Sequence, residues 1–135
     1  MKKAFIFLLI VFLANVLSMY YGWYLKWDWT DIIAHFSGGL FMAMFMAAYL
    51  KDQLPPGKII KNALIIVGVA VFIGVIWEFA EFIANQTLIV PTRKYLGVNA
   101  YFMGDLVDTV KDLLMDTLGA LTFFIIHSLR SRNSH

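Results

Sequence analysis

Seven ionisable side chains fall inside, or at the ends of, stretches whose apolarity otherwise marks them as membrane spans: His35, Glu78, Glu81, Asp105, Asp108, Asp112 and Asp116. A charged group at the centre of a bilayer costs about 2.5–3.5 kcal/mol on insertion scales, and more on an isolated helix. A chain that keeps so many must gather them away from lipid and put them to use. This constraint bears on both fold and function.

Composition agrees with the membrane reading. Of 135 residues, 61% are hydrophobic and 15% charged, and the mean hydropathy is +0.74, far from the balance of a soluble domain. Four segments are long enough to cross a hydrocarbon core, which needs about 20 apolar residues in a helix. They run from Ala4 to Leu25, Asp31 to Leu50, Ile59 to Gln86 and Asp105 to Ser128. Leu54-Pro55-Pro56-Gly57 terminates a helix between the second and third. The longest connection, Thr87 to Gly104, carries Pro91, Arg93, Lys94, Tyr95 and Tyr101 and is expected to cap the helix ends as a re-entrant or interfacial loop. The fold class is therefore an all-α integral membrane protein, with four transmembrane helices in one compact bundle over residues 1–135. No internal repeat or long linker divides it.

Met1-Lys2-Lys3 followed by an apolar run also fits a secretory signal peptide, but no good small-residue cleavage site follows, so a retained helix is expected. Four spans place both termini and the Lys51–Lys58 loop on one side. That side gathers Lys2, Lys3, Lys51, Lys58, Lys61, Arg130 and Arg132, against Lys26, Arg93 and Lys94 on the other. The positive-inside rule then puts both termini in the cytoplasm of a cell whose inner membrane holds the chain. Trp23, Trp27 and Trp29 supply part of an aromatic belt at the outer interface.

In that orientation all seven ionisable groups occupy the outer half. Asp105, Asp108, Asp112 and Asp116 fall within an arc of about 80° on span four, and Asp116 lies about 16 Å along the axis from Asp105. Glu78, Glu81 and Asn85 share a face of span three, with Gly74 beside them. On span two Asp31 and His35 are one turn apart, followed by Gly38 and Gly39, where helices can approach closely. Three polar stripes are expected to converge, with span one a packing and anchoring helix whose strongly polar residue is Asn15.

Carboxylates with one imidazole suit a divalent ion: Mg, Mn, Ca, Fe or Zn. The ligands expected at the centre are Glu78, Glu81, Asp108 and Asp112, with His35 as ligand or base and Asp105 or Asp116 at the edges; His35 and Asp112 are the candidate catalytic pair. The plainer readings are a protonated carboxylate network pairing with Lys111 and Arg93, an N-cap role for Asp105, and lipid-facing or core packing for Met42, Met44 and Met46. Cysteine is absent, which excludes thiolate ligands and thiol nucleophiles. A net charge of +2 does not suggest nucleic acid as a partner. Membrane lipids are the expected surroundings, a lipid-like substrate is compatible with the site, and a homo-oligomer is open.

The segment Gly104-Asp105-Leu106-Val107-Asp108-Thr109-Val110-Lys111-Asp112-Leu113, followed by Gly119-Ala120, resembles the signature of the YjdF-type family of small bacterial inner-membrane proteins, a group of unknown function. Asp31 with His35, and Glu78 with Glu81, match that family's Asp-x-x-x-His and Glu-x-x-Glu. More distantly the chain is similar to VanZ-like proteins, associated with glycopeptide resistance. Asp112 and Asp116-Thr117-Leu118-Gly119 fill their Asp-x-x-x-Asn-Thr-x-Gly with Asp in place of Asn. Neither resemblance implies a settled reaction. Two classes of function remain: a metal-dependent enzyme acting on a lipid, lipid phosphate or envelope precursor, or a binding or transport site for cations, protons or a cationic solute.

Overall fold

The computed structural model describes residues 1–132 apart from residues 25, 28 and 103. Helix α1 spans Lys2–Tyr20, shorter than the sequence reading, whose endpoint Leu25 lies outside the described residues. Gly22 ends it: with φ of 66° it takes the left-handed conformation that costs glycine nothing. The Trp23 N–H then donates to the Ser18 carbonyl at 2.8 Å and the Gly22 N–H to the Met19 carbonyl at 3.2 Å. This pair of bonds is a Schellman cap, which satisfies carbonyls that the helix end would otherwise leave orphaned.

Helix α2 spans Trp29–Tyr49 and runs into a 3-10 turn at Lys51–Gln53. Helix α3 spans Ile59–Thr87, followed by the single turn α4 at Ile89–Pro91 and a π-helical turn at Thr92–Leu96. Helix α5 spans Leu106–Arg132. Four of these, α1, α2, α3 and α5, are long and apolar enough to cross a membrane. The chain between α3 and α5 continues helically to Leu96 before extending, and only its last part, with Tyr101 and Phe102, folds over the bundle end.

The packing inverts that of a soluble bundle. Large side chains such as Leu64, Phe72, Phe79, Leu106 and Val107 point outwards, while the buried apolar positions are mostly alanine. In lipid there is no hydrophobic drive between helices, so association depends on close backbone approach and van der Waals contact. The buried residues form rows at four-residue spacing: His35, Gly39, Ala43 and Ala47 on α2, Ile66, Ala70, Gly74 and Glu78 on α3, and Asp112, Asp116, Ala120 and Phe124 on α5. Helices α2 and α5 meet most closely. A Cβ on Gly39 would collide with the Asp116 backbone, and one on Gly119 with the Phe36 carbonyl. Each row carries its ionisable residues at the end of the bundle distal to the termini. Small residues thus bring the backbones together, and that approach carries His35, Glu78, Asp112 and Asp116 into the interior.

Candidate metal centre

His35 is the hub, 4% exposed and faced by carboxylates from three helices. Its Nδ1 lies 3.4 Å from Asp116 Oδ2 on α5. Its Nε2 lies 3.7 Å from Asp31 Oδ1, one turn earlier on α2, and 4.0 Å from Glu78 Oε1 on α3. Among the described residues two three-residue groups share it, Asp31–His35–Asp112 and His35–Glu78–Glu81, and within each group the ligand atoms lie within 4.8 Å of one another. Glu81 is oriented by a 2.8 Å hydrogen bond donated by Trp77 Nε1 to its Oε1.

Hydrogen bonding in this cluster is incomplete. His35 Nε2, Glu78 Oε1 and Asp112 Oδ1 are all buried without a hydrogen-bond partner. A buried polar atom left unpaired costs about 1–3 kcal/mol, more when charged, and buried polar groups in native structures are overwhelmingly satisfied. Each of the two groups that share His35 thus holds unpartnered oxygen and nitrogen atoms that could serve a cation. The Asp116 contact to Nδ1 has the arrangement by which an outer carboxylate fixes the ring so that the other nitrogen faces a metal.

Above the cluster, at the distal end, lies a chamber of about 480 Å³ whose walls include Asp31, Glu81, Asp105, Asp108, Asp112, Lys111, Tyr24, Tyr101 and Phe102. Burial, with the Asp31 and Glu81 carboxylates beside it, pushes the Tyr24 hydroxyl above the ordinary phenol range. Tyr24 therefore remains a protonated donor.

The structure separates the residues that the sequence grouped together. His35 meets Glu78 and Glu81 in one group and Asp112, with Asp31, in the other. Asp116 reaches the centre from the opposite side, on Nδ1 rather than on the ligand side. Asp105 is the N-cap of α5: its Oδ1 accepts from the Val107 N–H at 2.9 Å and the Asp108 N–H at 3.1 Å, the pattern of a side-chain cap on the second and third helical residues. Asp108, expected at the centre, accepts from Lys111 Nζ at 2.7 Å and stands at the chamber wall. Both lie outside the two three-residue groups. Asp31 takes a place that the sequence reading gave to Asp108; its one-turn spacing from His35 was the available signal. Asn15, read as incidental to a packing helix, is 7% exposed and faces a second cavity together with His35 and Asp116.

If Asp105 is a cap and not a ligand, Asp105→Ala lowers stability by about 1 kcal/mol and leaves any bound metal in place. Thermal unfolding and elemental analysis of the same preparation check both halves.

No solved structure matches the chain. A protein of Thermotoga maritima, described only as an uncharacterized protein, is 32% identical over 121 residues, an alignment that covers 83% of this chain and 54% of that protein. The chain thus spans about half the length of the curated relative it matches. A family model described as "Predicted membrane protein (DUF2238)" matches residues 2–133, which include all four long helices and every residue of the His35 cluster. By that match the chain belongs to the DUF2238 family of membrane proteins.

Proposed function

We propose that the His35 cluster binds a divalent metal ion and that the chamber above it presents a phosphate-bearing lipid or envelope precursor to that ion, from the outer face of a bacterial plasma membrane. The observation that carries this reading is that His35 Nε2, Glu78 Oε1 and Asp112 Oδ1 are all buried and unpartnered, with His35 common to the Asp31–His35–Asp112 and His35–Glu78–Glu81 groups. One imidazole with several carboxylates favours Zn, Mn or Fe over Ca, which prefers an all-oxygen shell. A metal about 2.1 Å from each ligand sets ligand atoms about 3.4 Å apart in tetrahedral geometry, so small side-chain rotations close the 3.7 and 4.0 Å separations around an ion.

The charge of the chamber calls for a cation. Asp31, Glu81, Asp105, Asp108 and Asp112 face it, against Lys111, which Asp108 already engages. Such a chamber repels an anionic substrate unless cations offset its carboxylates; an ion held by His35 and its carboxylate partners would supply positive charge for phosphate oxygens and acidify a bound water. Asp112 lies on the chamber wall, where the carboxylate oxygen not offered to the ion would accept a proton, whereas both ring nitrogens of His35 are turned towards carboxylates. His35 is therefore a ligand in this reading and not the base. The carboxylates of α2, α3 and α5 all cluster in the distal half of the bundle, which supports a one-sided site over a pathway across the membrane.

Elemental analysis of the protein purified in detergent should find at least one Zn, Mn or Fe per chain. EDTA should lower its melting temperature, and Mn²⁺ or Zn²⁺ should restore it by mass action. An empty protein whose melting ignores Mg²⁺, Mn²⁺, Ca²⁺ and Zn²⁺ would leave a carboxylate network and remove the metal. Reporter fusions test the orientation: a cytoplasmic signal at the C-terminus and an outer signal in the 88–104 loop are expected, and the reverse would move the site to the cytoplasmic face.

A further inference from the structure

A second cavity, of about 230 Å³, lies between α1, α2 and α3 and has a different character. Its walls are apolar: Leu8, Val11 and Phe12 of α1, Met42 of α2, and Ile73 and Trp77 of α3. Three polar groups interrupt them. His35 and Asp116 stand where the cavity meets the metal cluster, and Asn15 is buried with its Oδ1 unpartnered. An amide oxygen held among Leu8, Val11 and Phe12 without a donor is costly, and a ligand that carries a hydroxyl or N–H would satisfy it.

The two cavities are stacked along the helices. On each long helix the residue facing the chamber lies distal to those facing the apolar pocket: Met19 beyond Asn15 on α1, Asp31 beyond Ala34 on α2, Glu81 beyond Trp77 on α3, and Asp112 beyond Asp116 on α5. The metal cluster borders both, with His35 and Asp116 lining the pocket and Asp31 and Asp112 lining the chamber, and the Trp77–Glu81 hydrogen bond joins the two linings along α3. From Ala34 to Met42 the pocket extends about 12 Å towards the membrane interior. Polar space at the membrane surface, charged ligands at its base and an apolar slot beneath follow the profile of an amphiphile.

We propose that the pocket between α1, α2 and α3 takes the hydrocarbon chain of a single amphiphile whose phosphate head occupies the chamber above. This names the substrate class and rests on the metal reading for the head group, while the chain pocket stands on the apolar walls and Asn15. The chain enters from the bilayer along the seam between α1 and α3, where Phe12 stands edge-on to Trp77 with ring centroids 6.2 Å apart. The Asn15 amide marks the upper chain region as the place for a hydroxyl or amide group.

Trp77 is a built-in reporter, because it lines the pocket. In full-length protein carrying Trp23→Phe, Trp27→Phe and Trp29→Phe, a dibrominated alkyl phosphate is titrated in detergent while Trp77 fluorescence is followed, with Mn²⁺ loaded or stripped by EDTA. Saturable quenching is expected. Val11→Phe and Ile73→Phe, which narrow the slot from opposite helices, should each weaken it about tenfold or more without changing metal content; either variant serves if the other fails to fold. Saturable quenching that ignores metal keeps the chain pocket and overturns the metal reading. Metal-dependent melting without saturable quenching keeps the metal and overturns the chain pocket. Quenching that follows brominated bulk phospholipid without saturating, and is the same in both narrowed variants, means that annular lipid or a second copy covers this face, and overturns the proposal.

Discussion

Gly119→Ala lowers the unfolding free energy of the bundle by about 1–3 kcal/mol, the cost of forcing an extra carbon into a well-packed contact, and Gly39→Ala does the same. The cause is backbone against backbone. A Cβ at Gly119 meets the Phe36 carbonyl, and one at Gly39 meets the Asp116 carbonyl; a main chain inside a helix cannot swing aside as a flexible side chain can. Helices α2 and α5 must separate, and His35, Asp112 and Asp116 separate with them, so metal affinity falls together with stability. Gly68 is the control: nothing lies within 4 Å of a Cβ built there. Relief of the glycine helix penalty, about 1 kcal/mol, makes Gly68→Ala neutral or stabilising. Thermal unfolding of the three variants in one detergent checks the set, and equal melting at all three positions would refute the close α2–α5 contact.

Asp116→Asn weakens divalent metal binding by about 10–100-fold, the range for losing an outer partner of a ligating histidine, while metal still binds at high concentration. His35→Ala abolishes binding, and Asp108→Asn leaves it close to that of the unaltered protein. The three outcomes follow from position. Asp116 faces Nδ1 of His35, His35 belongs to both ligand groups, and Asp108 is held by Lys111 at the chamber wall. Titration of the melting temperature with Mn²⁺ or Zn²⁺ separates affinity from capacity, because stabilisation grows with the logarithm of free metal over the dissociation constant. Loss of binding in Asp108→Asn, with none in Asp116→Asn, would exchange the roles of the two aspartates.

The sequence by itself determined the membrane class, the four spans and the end of the bundle at which the polar groups gather. Apolar runs of spanning length leave little choice in a bilayer, where every backbone group must be satisfied within the segment, and the positions of His35, Glu78, Glu81 and Asp112 along those runs fix their depth. Gly22 was a stop signal for α1 that a span drawn to Leu25 passed over, and the one-turn spacing of Asp31 from His35 was a signal for the site. Tertiary structure alone decided which acids meet. Asp105, Asp108, Asp112 and Asp116 share one arc of α5, yet one caps the helix, one pairs with Lys111, one points its unpartnered oxygen into the cluster and one faces the far side of the imidazole. Those fates depend on how far α2 and α5 approach at Gly39 and Gly119 and on the rotation of each helix about its axis. Helical periodicity gives a residue's face, but only packing between helices says what that face meets. The pocket between α1, α2 and α3, with Asn15 buried in it, was hidden for the same reason: a cavity belongs to the space between helices and leaves no pattern within any one of them.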